Sequence, residues 1–267
     1  LPGSGLALRL ITAPDGGAAA VHGSILGADG MPAPASTPLR IIGNLPSEVL
    51  AAHPHLEGYI ALSATDATGA PLLDDDAVTS ALTGQVAIAQ YVGLPDPTET
   101  ADISGAHLDA FTGVQTAILL DHLYAEAATR AELGVTFHDG RPSFALWAPT
   151  AQAVTLLTWE TGDPLGSVPE VPSPPRRTPA VRTDDGRWVV GNHPDQPADA
   201  DERETSGTAD APIAAGCQYL WEVRVYVPST LQVETNIVTD PYSTALTTDS
   251  TRSVAVDLAD PRLSPEQ

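Results

Sequence analysis

Gly134 to Thr158 reads Gly-Val-Thr-Phe-His-Asp-Gly-Arg-Pro-Ser-Phe-Ala-Leu-Trp-Ala-Pro-Thr-Ala-Gln-Ala-Val-Thr-Leu-Leu-Thr. The pattern predicts three short strands joined by two turns. Val135 to His138 is extended, and Asp139-Gly140 is a tight-turn dipeptide. Phe144 to Trp147 is extended again, Pro149 interrupts the ladder, and Val154 to Trp159 resumes it. A small β-sandwich begins in this way. A second strand signal lies further on: from Gln218 to Val227 the chain alternates, with Tyr219, Trp221, Val223, Val225 and Val227 on one face and Glu222 and Arg224 on the other. That is the signature of a half-buried antiparallel strand. Pro228-Ser229-Thr230 turns it back into Leu231 to Thr239.

Two ordered motifs carry a family resemblance. The first is Phe144-Ala145-Leu146-Trp147-Ala148-Pro149-Thr150-Ala151 followed by Val154-Thr155-Leu156. It resembles the opening of the family 48 carbohydrate-binding module, an immunoglobulin-like domain that precedes the catalytic barrel of starch- and glycogen-debranching enzymes. The second comprises Val238-Thr239-Asp240-Pro241-Tyr242-Ser243, then Asp249 to Ser253, then Val256 to Pro261. It resembles the pullulanase-type α-1,6-glucosidases of glycoside hydrolase family 13. The looser pattern of 45–63, 77–91 and 114–124 resembles the β-rich domain just before that module. The resemblance implies a mainly β chain of two tandem β-sandwich, immunoglobulin-like domains: an accessory domain at 1–131 with a few short helices, and the module at 132–267.

Bulk composition agrees with a chain of many short elements. With 42% hydrophobic residues but only 5% aromatic, the cores are built from Val, Leu, Ile and Ala, and 25 prolines and 22 glycines favour turns. The formal net charge is −22, and every one of the 12 basic residues is Arg. Such acidity repels phosphate backbones and anionic lipid, so neither nucleic acid nor a membrane is an expected partner. A neutral α-glucan is indifferent to the sign of the charge. No apolar run reaches the ~18 residues of a membrane span, and no signal peptide is visible at Leu1. The chain reads as an excised piece of a secreted protein. Cys217 is alone, which rules out an internal disulfide and predicts a buried small hydrophobe.

In the first half, strands are predicted at 6–12, 18–26, 39–42, 59–64, 85–92 and 113–117, with 29–38 and 93–105 as loops. Pro46 to Ala52 and Ala77 to Leu82 have helical starts. From Ile118 to Ala131 an apolar stripe predicts a helix that closes the first domain. Two inserts, 164–179 and 194–212, are rich in proline and in acidic and small residues respectively.

The chemistry of glycoside hydrolysis is not expected here. It needs two opposed carboxyl groups, ~5–5.5 Å apart in a retaining enzyme. The resemblance implies that these sit on a (β/α)8 barrel of ~250 residues. This chain has too few helical stretches for one and lacks the family's Tyr-Asn-Trp-Gly-Tyr-Asp-Pro signature, so the catalytic residues are expected beyond Gln267. Asp74-Asp75-Asp76 is either a Ca²⁺ site or a solvated helix start. His53 and His55 have no neighbouring partner for a metal, and no other cofactor is expected. The four Trp remain. A glucan is held by stacking sugar faces on flat rings, and Trp147 and Trp188 are the candidate glucan contacts, each weighed against a packing role. Trp221 and Tyr219 read as core, and Trp159 ends its strand. The expected function is therefore a non-catalytic segment that packs beside a downstream barrel and contacts α-glucan. The alternatives are a self-sufficient glucan-binding module or an interaction domain with no sugar site.

Overall fold

The computed structural model describes residues 5–21, 24–27, 34–94, 106–161, 163–168, 173–191 and 212–259, most of them in short antiparallel strands. The insert expected at 194–212 falls almost wholly outside the described residues. The described chain packs as two compact units, 1–116 with 226–233, and 117–225 with 234–267.

The first unit is built on a five-stranded antiparallel sheet. β1 (Gly5–Ala13) lies at its centre, β2 (Ala19–Val21) and β3 (Ser24–Leu26) pair separately as a ribbon, and β4 (Ala35–Asn44) and β5 (Ile60–Ser63) follow on one side. β6 (Gln85–Leu94) and β7 (His107–Gly113) complete the order β5-β4-β1-β6-β7. Alternation explains the core: the register Ala7↔Tyr91, Ile11↔Ala87 and Ala13↔Gln85 places the odd-numbered residues of β1 and β6 on one face. There Ala7, Ile11, Ala13, Ala87, Ala89 and Tyr91 are buried, with Ile25 of the ribbon packed against them. Small side chains on that face let the covering residues approach closely.

Three elements differ from the sequence expectation, the first being 18–26, read as one strand and found as the β2–β3 ribbon. The 29–38 loop reading gives way to a strand from Ala35, with Pro38 inside it opposite Arg9. Proline is tolerated because β5 pairs β4 only from Arg40 to Asn44, so the missing N–H costs no ladder bond on that side. The strand expected at 113–117 is instead β7, ending at Gly113. His-Leu-Asp-Ala-Phe-Thr has weak strand propensity, and it is the pairing with β6, such as Tyr91↔Leu108, that makes it extended. The short helices α1 (Ser47–Ala52) and α2 (Asp75–Leu82) lie where expected. Asp74 caps α2, its carboxylate accepting the Ala77 N–H at 2.8 Å.

The second unit is a two-sheet sandwich. It opens with α3 (Ala117–Ala128), so the helix read as closing the first domain belongs with the second unit. Its buried Tyr124 packs edge-to-face on Trp147, centroids 6.5 Å apart. β8 (Gly134–His138), β9 (Arg141–Trp147) and β10 (Ala151–Trp159) are the three strands read from the deciding stretch. Asp139 and Gly140 both take positive φ, 51° and 73°, the left-handed pair that a two-residue hairpin turn requires. After β11 (Arg176–Pro179), β12 (Val181–Arg182) and β13 (Arg187–Val190), the long hairpin β14 (Gln218–Val227) and β15 (Gln232–Val238), apart from its tip at 226–233, and the short β16 (Ser253–Val254) complete the unit. One sheet runs β12-β13-β9-β8, the other β11-β10-β14-β15, with β16 on β14. Between them lie Phe144, Leu146, Val154, Leu156, Val190, Tyr219 and Trp221.

Candidate functional site

The two motifs that carry the family resemblance turn out to be structural joints. Tyr219 is fully buried and donates its hydroxyl to Asp240 Oδ2 at 2.8 Å, while Asp240 Oδ1 accepts the Tyr242 N–H at 2.8 Å. The Asp240 N–H in turn donates to Ser253 Oγ at 3.0 Å. Burial, together with the Asp240 carboxylate that Tyr219 donates to, pushes the phenol well above its ordinary value, so it stays a donor. This knot binds the Asp-Pro-Tyr segment to β14 and to the Asp249–Ser253 turn.

That turn is held by Asp249, whose Oδ1 accepts from the Thr247 hydroxyl (2.6 Å) and from the Thr251 hydroxyl (2.9 Å), and whose Oδ2 accepts the Val168 N–H (3.0 Å). The Thr247 hydroxyl is the largest influence holding this carboxyl well below the usual carboxylate range, against a partial desolvation that opposes it. A depressed folded pKa means stabilisation that is present above the unfolded value, near ~4, and lost as pH falls below it toward the folded value. Thermal melts of Asp249→Asn against the parent chain at descending pH are therefore expected to converge below about pH 4, the variant losing less stability on acidification. Parallel curves down to the acid limit would contradict this.

Arg252, from the same motif, turns inward. It is buried, it donates to Gln218 Oε1 at 3.1 Å, and its guanidinium lies 3.6 Å over the centroid of the Trp159 ring. The Trp159 Nε1–H donates to the Ser173 carbonyl at 2.7 Å. The indole is thus fixed in plane and backed on one face. Beside it a recess of about 210 Å³ is lined by residues that include Trp159, Glu160, Ser173, Arg176, Ile213 and Cys217. The Cys217 thiol is pushed up to about 12, chiefly by burial, so it is an inert wall and not a nucleophile.

The two indoles expected to meet glucan are placed differently. Trp188 is only 8% exposed, belongs to the sandwich core and donates Nε1–H to the Ala148 carbonyl at 2.9 Å. Its ring is a packing element, the reading weighed against the sugar contact. The turn before it is locked by Asp185, which accepts from Arg187 Nε (2.8 Å) and Thr183 Oγ1 (2.5 Å). Trp147 is half-buried beside Tyr124, with its Nε1 enclosed and lacking a hydrogen-bond partner. The structure does not bring Trp147 and Trp188 to one surface. The recess at Trp159 was not singled out from sequence. Its signal is there, a Trp at a strand end, but the stacking Arg lies 93 positions later and nothing local points to it.

Among the described residues, no group of three or more His, Cys, Asp or Glu is placed to hold a metal ion. His53 and His55 stand edge-to-face with centroids 5.9 Å apart. No described helix is long and apolar enough to cross a membrane.

With this geometry in view, comparison with known proteins is informative. No family model matches the chain. A Klebsiella pneumoniae pullulanase is 33% identical over 171 residues, 63% of this chain and 13% of its own length. An Arabidopsis thaliana chloroplastic pullulanase is 26% identical over 84% of this chain and 18% of its own. The relatives are pullulanases. Crystal structures agree: the maltotriose complex of a Klebsiella pneumoniae pullulanase mutant superposes on 97% of this chain with a TM-score of 0.69 at 26% identity. A Klebsiella oxytoca structure superposes on the same share with a TM-score of 0.68. The chain spans under a quarter of each of these pullulanases, so the likeness is to an accessory region of the enzyme.

Proposed function

We propose that this chain is the non-catalytic accessory segment of a secreted pullulanase-type debranching enzyme whose parent hydrolyses α-1,6-glucosidic branch points in pullulan, starch or glycogen dextrins. The observation that carries the reading is the superposition of nearly the whole chain on a Klebsiella pullulanase of which it spans 23%. Chemistry supports it. Glycoside hydrolysis needs opposed carboxyl groups across a cleft, and Asp240, the buried carboxylate among the described residues, is occupied by Tyr219 and Tyr242. The hydrolytic Asp and Glu then belong to a barrel elsewhere in the parent polypeptide, against which this segment packs. The sandwich of the second unit takes the part of a family 48 module, the five-stranded sheet of the first unit that of the accessory domain before it, and half-buried Trp147 is a contact for glucan chains.

The experiment is direct. The 267-residue chain incubated with pullulan is expected to release no reducing sugar above buffer, and the parent reading frame is expected to encode a (β/α)8 barrel. Measurable turnover by the chain alone, or a parent with no barrel, would overturn the reading.

A further inference from the structure

We propose that the recess at Trp159 is a subsite for one neutral glucosyl unit, a site distinct from Trp147; naming its ligand as α-glucan rests on the debranching reading above. Three anchors hold Trp159 before any ligand arrives: its place at the end of β10, opposite Gln218 in the ladder, the bond to Ser173, and the guanidinium stacked on one face. Arg252 does not line the recess, so the stacked guanidinium leaves it unfilled. A ring already immobilised loses little rotamer freedom on binding, which is what a weak, repetitive ligand requires.

The remaining walls select the charge of the occupant. Glu160, at the solvent edge, presents a carboxylate that accepts hydrogen bonds and repels anions. Arg176, the partner of Thr158 in the β10–β11 ladder, sets a positive charge in the same wall, so charges of both signs border the recess and neither sign of ion is favoured. Ile213 and the buried Cys217 supply an apolar floor. An indole in the wall, an apolar floor and bordering charges of both signs fit a neutral polyhydroxylated ring. About 210 Å³ is the space of roughly seven water molecules, which suits a single sugar unit and not a length of glucan helix. All of these elements belong to the second unit, so the recess is complete within it.

The test is calorimetric titration of the 267-residue chain with maltotriose, with circular dichroism confirming that each variant is folded. Trp159→Ala is expected to weaken binding at least ~10-fold. Glu160→Gln, at an exposed position that leaves the fold untouched, is expected to weaken it several-fold. No heat of binding up to about 10 mM maltotriose, or binding that survives both changes, would overturn the subsite. So would binding lost in Trp147→Ala and retained in Trp159→Ala. The two readings fail separately: a parent without a barrel defeats the debranching assignment whatever the titration shows, whereas a silent titration beside an encoded barrel defeats the subsite alone.

Discussion

Trp221→Ala is expected to destabilise the second unit by about 3–5 kcal/mol and to lower its melting temperature by roughly 10–20 °C. Trp221 is fully buried at the meeting point of both sheets. Its ring stands edge-to-face with Phe144 and with Tyr219, centroids 6.5 Å apart in each case, while Phe144 and Tyr219 are 5.1 Å apart. Each such pair adds ~0.5–1.5 kcal/mol beyond the area it buries. Removing the indole therefore empties the centre of an aromatic triad and leaves a cavity that short, ladder-paired strands cannot collapse to fill. The Trp221 Nε1 has no hydrogen-bond partner, so the loss is one of packing and not of polar satisfaction. Thermal unfolding followed by near-ultraviolet dichroism reads it, and a fall of less than ~1 kcal/mol would mean that the triad is not the keystone claimed.

The second large effect is polar. Asp240→Ala is expected to cost about 3 kcal/mol or more, and Tyr219→Phe only about 1–2 kcal/mol. The asymmetry follows from what each change leaves behind. Without the Asp240 carboxylate, the Tyr219 hydroxyl and the Tyr242 N–H lose their acceptor, and the hydroxyl is sealed from water. Without the hydroxyl, Asp240 still accepts from Tyr242 and loses one donor only. The double variant should cost less than the sum by at least ~1 kcal/mol, because a phenylalanine has no donor to orphan. Additive losses in denaturant melts would show that the two groups do not act as one unit.

How much of this was legible in the chain can be judged element by element. The Asp139-Gly140 turn, the three strands around it and the alternating strand from Gln218 are local patterns, and the structure contains them. Burial of Tyr219 and Trp221 was equally readable, since a period of two names the face. The Asp240-Pro241-Tyr242 and Asp249–Ser253 motifs were recognised by resemblance, but their physical role appears only when Tyr219, Ser253 and Thr247 come into contact.

Turn dipeptides and alternation by themselves determined that this is a mainly β chain, and two ordered motifs carried its resemblance to pullulanases. Alternation and turn chemistry act between neighbours, and neighbours are what a sequence displays. Only the tertiary structure decided that Ala35 to Asn44 is extended through a proline, that the helix at Ala117–Ala128 belongs with the sandwich, that Trp188 is core, and that Trp159 borders a recess. Each of those depends on a partner strand or side chain tens of residues away, and the energy of a ladder bond or a stacked guanidinium exists only once the fold has brought the two together.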